Sequence, residues 1–309
     1  MKNSSALGNL FWLDRRWYEK GISRQEAEAF CRALARHHYE NFTVVSFLLP
    51  RGLRQHFANI YAYCRVADDL ADELRDPQTS LDRLDEWRDH LYRCYAGQTV
   101  HPVFVALQPT IERFDIPRDP FENLLKAFRQ DQIQMRYSTW QDLLGYCENS
   151  ANPVGRLVLY LCGHRDPERQ ALSDQTCTGL QLTNFWQDVA RDYKGGRIYI
   201  PAEILNVHGY SETMLAQGVV NREWTQLMKD LIDRTRPFFH RGLQLCSLVQ
   251  RQLRLDIELF SRGGLEILRT IEAIDYDTLH QRPQLTRLRE TRLMFGALIR
   301  SLGNPRTVP

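Results

Sequence analysis

Two carboxylate-rich runs, more than a hundred residues apart, constrain this chain more than any other feature. The first reads Asp68-Asp69-Leu70-Ala71-Asp72-Glu73 and the second Asn184-Phe185-Trp186-Gln187-Asp188-Val189-Ala190-Arg191-Asp192. In an α-helix, residues four apart differ by about 40° in azimuth and ~6 Å in height. Asp68 and Asp72 therefore share a face, and Asn184, Asp188 and Asp192 form a second stripe. Like charges at that spacing repel by roughly 3 kcal/mol at an effective dielectric near 20, before solvent screening. A row of acids on a helix is most often a solvated face. Here the first run follows Ile60-Tyr61-Ala62-Tyr63-Cys64, and the second is embedded among Leu180, Leu182, Phe185, Trp186 and Val189. Basic residues are also close in sequence: Arg65 one turn before Asp69, and Arg191, Lys194 and Arg197 after Asp188. Oxygen-only stripes suit Mg²⁺, which takes one or two carboxylates and completes its shell with phosphate oxygens. The pattern points to a metal-dependent diphosphate enzyme. Zinc would want His or Cys, and a di-iron bundle would want Glu-x-x-His, which does not occur. His37-His38 at a helix end reads more readily as a partner for the helix dipole than as a ligand pair.

The periodicity is helical almost throughout. Ser23-Arg24-Gln25-Glu26 is a capping-box pattern opening a helix to about Tyr39. After Pro50 an apolar stripe of Leu53, Phe57, Ile60, Tyr61 and Cys64 carries the first acidic run at its C-terminal end. Further helices are expected over 80–96, 102–114, 121–137 and 139–161. Another is expected over 167–193, ending at Gly195-Gly196. A long helix over 222–261, bent near Pro237, is expected to be broken from a helix over 265–274 by Gly263-Gly264, and a last one to cover 285–302. Hairpin signals, internal repeats and low-complexity linkers are absent. The two stripes lie in different thirds of the chain, so one bundle must bring them together; the expectation is a single all-α domain, 1–309, with a central cavity.

At 309 residues and 43% hydrophobic content the chain can bury a full core. A net charge of +2 gives no global field for nucleic acid, so none is expected as a partner. Seven scattered cysteines without CxxC spacing read as reduced and cytosolic. No run of about 18 apolar residues occurs, so no membrane-spanning helix is expected. Asp14, Arg15 and Arg16 close behind Phe11 and Trp12 exclude a signal-peptide core. Phe11, Trp12 and Trp17 leave peripheral contact with the inner face of a membrane open, beside the plainer reading that they pack on the bundle.

The segments Tyr61-Ala62-Tyr63-Cys64-Arg65-Val66-Ala67-Asp68-Asp69-Leu70-Ala71-Asp72-Glu73 and Gln181-Leu182-Thr183-Asn184-Phe185-Trp186-Gln187-Asp188-Val189-Ala190-Arg191-Asp192-Tyr193-Lys194-Gly195-Gly196-Arg197-Ile198-Tyr199-Ile200-Pro201 resemble the paired signatures of the squalene and phytoene synthase family. The resemblance covers nearly the whole chain, with Leu48-Leu49-Pro50, Tyr146-Cys147, Pro153-Val154-Gly155 and Asp275-Tyr276-Asp277 in support. It implies a class I isoprenoid synthase helical bundle with an isoprenoid diphosphate substrate. Asp68, Asp72, Asn184, Asp188 and Asp192 would hold two or three Mg²⁺ ions, and Arg65, Arg197 and Tyr199 would bind the remaining diphosphate oxygens.

Within the family, His38-Tyr39-Glu40-Asn41-Phe42 and Ser150-Ala151-Asn152-Pro153-Val154-Gly155 resemble the hydroxysqualene synthase branch of bacterial hopanoid pathways. Where the condensing synthases carry small hydroxyl residues and a lysine, this chain has Tyr39, Glu40 and Asn41. Gln187 stands where the family often has arginine. Fewer phosphate donors fit an enzyme that handles one diphosphate rather than two. Presqualene diphosphate would ionise, rearrange in an apolar tunnel and be quenched by water, so NADPH is not expected. Phe42, Tyr61 and Tyr146 are candidates for cation–π stabilisation, although each also reads as plain core. Asn152, Gln181, Gln187 and Asn41 are candidates for holding the water, or are simply satisfied by neighbouring groups; His38 belongs to the same substrate-facing set. The chain's last residues, Arg306 to Pro309, carry no hydrophobic anchor of the kind eukaryotic squalene synthases have, so a soluble or peripherally bound enzyme is expected. A presqualene diphosphate synthase that hands over its product is a candidate partner. The alternatives are condensation of two farnesyl or geranylgeranyl diphosphates in the same fold, and an inert scaffold or lipid-carrier subunit.

Overall fold

A computed structural model describes residues 21–37, 51–74 and 76–285. They form thirteen α-helices joined by short turns, and the regular pairing outside helices is one isolated parallel bridge between Arg136 and Ile198. Two compact units emerge: residues up to 133 with 160–163, and the remainder of the chain.

In the first unit α1 (Arg24–His37) opens on the expected capping box. The Ser23 hydroxyl accepts from the Glu26 amide at 3.3 Å, and the Glu26 carboxylate accepts from the Ser23 amide at 3.0 Å. α2 (Arg54–Asp72) is the unit's axis and packs against α1, α3 (Pro77–Tyr95), α4 (Pro102–Phe114) and α5 (Asp119–Gln130). α3 and α4 each begin on a proline whose missing N–H is no loss at the first helical position. Tyr63 is fully buried against Trp87, Phe104 and Phe121, and its phenol donates to the Phe121 carbonyl at 3.2 Å. A polar seam runs beside this apolar core. Asn59 donates to the Ala106 carbonyl at 2.8 Å and to the Thr110 hydroxyl at 3.0 Å, which fixes α2 against α4 in one register.

In the second unit α6 (Trp140–Ser150) starts with a second capping box, Thr139 with Asp142. After α7 (Asn152–Leu161) comes α8 (Pro167–Gln187), the axis of this unit, against which α6, α12 (Arg222–Gly242) and α13 (Arg251–Ala273) pack. Short helices α9 (Val189–Lys194), α10 (Ala202–Val207) and α11 (Glu212–Ala216) lie between α8 and α12.

Four boundaries differ from the periodicity, the first being the helix expected over 167–193, which is parted at Asp188 into α8 and α9. The helix expected to reach Tyr137 stops at Gln130, because 135–138 instead runs beside 198–203. Ile198 donates to the Met135 carbonyl, and Ala202 to that of Tyr137, both at 2.9 Å. The helix expected over 139–161 is two, parted at Ala151 ahead of Pro153. Gly263-Gly264 does not break the chain, since α13 runs straight through it. Gly264 is small because a Cβ there would lie 2.2 Å from the Phe239 ring, so the glycine serves close packing of α13 on α12 rather than termination. The interruption falls earlier, at 243–250, where Pro237 has not stopped α12. The helix expected over 285–302 lies outside the described residues.

Candidate active site

The first acidic run occupies the last turns of α2, the end of a helix that carries partial negative charge. Nothing local favours carboxylates there, so they need cations. Arg65 supplies one: it reaches Asp68 at 3.0 Å and also pairs with Asp69. Asp69 is fully buried, which makes it the inward, structural member of the run. Asp68 is half-exposed and Asp72 exposed, as their shared outward face requires. Tyr61, one turn before Arg65, is half-buried, and burial pushes its phenol up to about 12, so it stays protonated.

The second run spans the junction of α8 and α9. Asp188 leaves helical geometry at φ −108°, ψ 15°, yet its amide still bonds the Asn184 carbonyl and its carbonyl the Asp192 amide, both at 2.9 Å. The stripe is therefore kept through the junction. Asn184 is exposed and Asp188 only 6% exposed. Asp188 accepts both arms of the Arg282 guanidinium, at 2.5 and 3.0 Å. Burial and then the charge of Asp188 push Asp192 up to about 7, against the opposing pull of Arg197 and Arg191. Asp192 and Arg197 line a cleft whose walls are Phe185, Val189, Ile198, Tyr199, Ile200 and Leu215. Tyr199 stacks on Phe185 with centroids 3.8 Å apart and planes 11° apart, and Tyr137 and Tyr146 each lie 5.8 Å from it. The chemistry is that of a carboxylate pair and an arginine at one end of an aromatic wall.

Other expected residues take quieter positions. Asn152 is buried and accepts the Thr178 hydroxyl at 2.9 Å, so its oxygen is satisfied within the fold. The Gln187 amide donates to the Pro283 carbonyl, and Gln181 lies half-exposed on α8. Tyr199 is 9% exposed and packed into the aromatic stack over its ring faces. His38, Asn41 and Phe42 lie outside the described residues. Arg282 and Tyr137 escaped the sequence reading. The faint signal for Arg282 was a lone basic residue between Asp275-Tyr276-Asp277 and Pro283. Tyr137 was hidden by the helix assigned over it.

Among the described residues no group of three or more His, Cys, Asp and Glu side chains is placed to hold a metal ion. A complete protein cage for zinc or calcium is thus missing among them. A pair of carboxylates, one raised by burial and then by its acidic neighbour, fits a hard cation that takes its other ligands from water and substrate.

Residues 35–289 match the family described as squalene/phytoene synthase. A 15-cis-phytoene synthase of Synechococcus elongatus is 31% identical over 90% of this chain and 94% of its own. The crystal structure of squalene synthase HpnC from Alicyclobacillus acidocaldarius aligns with a TM-score of 0.79 at 41% identity, covering 82% of this chain and 95% of that one. A ligand-bound dehydrosqualene synthase, 24% identical, aligns with a TM-score of 0.81 over 91% of this chain and 98% of its own, a likeness of fold.

Proposed function

The chain belongs to the squalene/phytoene synthase family of head-to-head isoprenoid synthases, and from that premise we propose that it converts presqualene diphosphate and water into hydroxysqualene and inorganic diphosphate. The observation that carries the chemistry is the Asp188–Asp192 pair at the end of an aromatic wall, with Arg197 beside it. Two acids on one stripe, Asp192 raised by burial and then by the charge of Asp188, make a binding site for a cation, and the apolar wall excludes water from what lies along it. In this reading Asp68, Asp72, Asn184, Asp188 and Asp192 hold two or three Mg²⁺ ions. When bound, Mg²⁺ neutralises charge on the departing diphosphate. Arg197 adds a fixed donor to the same oxygens. Tyr61 and Tyr146 remain the candidates for cation–π stabilisation of a carbocation, with Phe185 and Tyr199 stacked on each other as the wall behind. Water, not hydride, ends the reaction, so NADPH has no part. The two units act as one synthase domain, a view supported by a family match that spans both.

The hydroxysqualene branch is supported by the segments 38–42 and 150–155, and the 41% identity to a squalene synthase against 31% to a phytoene synthase favours squalene-type over phytoene-type chemistry. A second reading, condensation of two prenyl diphosphates, is favoured by the curated relatives, which carry the name phytoene synthase. Purified protein incubated with Mg²⁺ and either presqualene or farnesyl diphosphate, with and without NADPH, separates them by mass spectrometry of extracted lipids. Hydroxysqualene from presqualene diphosphate without NADPH is the expected result; turnover of farnesyl diphosphate alone would replace it with the second reading. The apolar product also makes contact with a membrane surface, and direct hand-over from a presqualene diphosphate synthase, natural parts of this proposal. Among the described residues no helix is long and apolar enough to cross a membrane.

A further inference from the structure

We propose that Arg282 is the resident counter-ion of the second carboxylate cluster and is exchanged for the divalent cation, so that metal binding frees the segment that carries it. The inference rests on the metal reading above and goes beyond it by naming what the metal must displace. Asp188 is buried, and both its oxygens accept from the Arg282 fork, at 2.5 and 3.0 Å. A cation at Asp188 needs at least one of those oxygens, which breaks one arm of the Arg282 fork, and repulsion between the two positive groups on one small carboxylate weakens the other. The next residue on α8 makes the same attachment: Gln187 donates to the carbonyl of Pro283, directly after Arg282. Two neighbours on the helix thus hold two neighbours of the segment.

The base of the segment is fixed. Asp275 and Tyr276 both adopt left-handed backbone, with φ of 51° and 64°, which side-chain-bearing residues keep only when neighbours hold them there. Trp224 does so by donating its indole N–H to the Tyr276 carbonyl at 2.8 Å, and the Tyr276 amide bonds the Ile271 carbonyl at 3.0 Å. Asp277 then accepts from the backbone amide and the ring of His280. A rigid, strained turn therefore projects residues 277–285 as a strap whose tip meets α8 through an ion pair and one hydrogen bond. Arg282 is 45% exposed in its side chain, so withdrawal into solvent carries little desolvation cost, whereas Asp188 without any cation would stand buried beside Asp192. The arrangement keeps the cluster neutralised until a metal ion takes over.

The test uses the full chain, with Mn²⁺ as the probe. Arg282→Gln should bind Mn²⁺ about threefold to tenfold more tightly than wild type by electron paramagnetic resonance, as expected for loss of one competing ion pair. Arg282→Lys, which keeps the charge without the fork, should fall between them. Hydrogen exchange read by mass spectrometry should show 277–285 speeding up in wild type on saturating Mg²⁺, and already fast and insensitive to metal in Arg282→Gln. Circular dichroism confirms that each variant is folded. Mn²⁺ binding by none of the proteins would overturn the metal reading, and the exchange with it. Equal affinities with metal-insensitive hydrogen exchange in wild type would overturn the exchange alone.

Discussion

Asp188 is both the most constrained acid of the second stripe and the least exposed, and its charge is what the proposed chemistry uses. Asp188→Asn keeps the volume and removes the charge. Turnover should fall at least about a hundredfold, the scale on which electrostatic groups aimed at developing charge act, while helical circular dichroism stays unchanged. A collapse of the dichroism instead would assign the stripe to the fold rather than to catalysis. Asp256 is a different kind of buried acid. It lies on α13 at 4% exposure, with one oxygen unpartnered, and burial alone raises it from the ordinary 3.8 to about 7. The folded state therefore binds a proton that the unfolded chain has released between those values. Stability contributed at this position is greatest below the unfolded value, declines as pH climbs towards 7, and is level beyond it. The loss is of order 4 kcal/mol at most. Urea titrations from pH 4 to pH 8 should show this slope in wild type and a flatter one in Asp256→Asn; identical slopes would remove Asp256 from the account.

Element by element, what the sequence exposed well was whatever repeats with a helix. The caps at Ser23 and Thr139, the prolines at 102 and 167 and the apolar stripe of α2 are local signals, and helices begin where they say, whereas the helix expected from Ser80 starts three residues earlier on Pro77. Interruptions were misplaced, because they are decided by partners far along the chain. The segment 131–139 is as apolar as a helix end, but 198–203 claims its carbonyls. The glycine pair 263–264 shows the same limit and gives a sharp test. Gly264 faces the Phe239 ring at a distance no Cβ tolerates, whereas a Cβ at Gly263 meets nothing within 4 Å. Gly264→Ala should destabilise by about 1–3 kcal/mol through overpacking. Gly263→Ala should gain up to about 1 kcal/mol from helix propensity. Opposite signs at adjacent positions, read from chemical denaturation, would establish α13 as continuous; two losses would restore the break. Within the site, both carboxylate runs could be read because four-residue ligand spacing is local in sequence and is kept even through the α8–α9 junction. Arg282 could not, because its partner lies 94 positions away.

At the scale of the whole molecule, the seven cysteines are all free thiols. Burial pushes Cys31, Cys64, Cys94, Cys177 and Cys246 up to about 12, and they are spread over both units. At pH 8 such thiols hold roughly a thousandfold less thiolate than an ordinary cysteine. Alkylation by iodoacetamide should accordingly be slow in the native protein, rise sharply through the denaturation transition and respond little to added reductant. Fast labelling of these five under native conditions would show that the interior opens without unfolding. The single parallel pairing of 135–138 with 198–203 reaches further than its few hydrogen bonds suggest. Side chains along extended backbone alternate in direction, so one residue gained or lost within 135–137 would turn Tyr137 away from Tyr199 and move the wall beside Asp192 out of phase. Sequence drift can therefore substitute exposed residues and adjust the turn at 131–134, but it cannot change the length of the paired stretch 135–138.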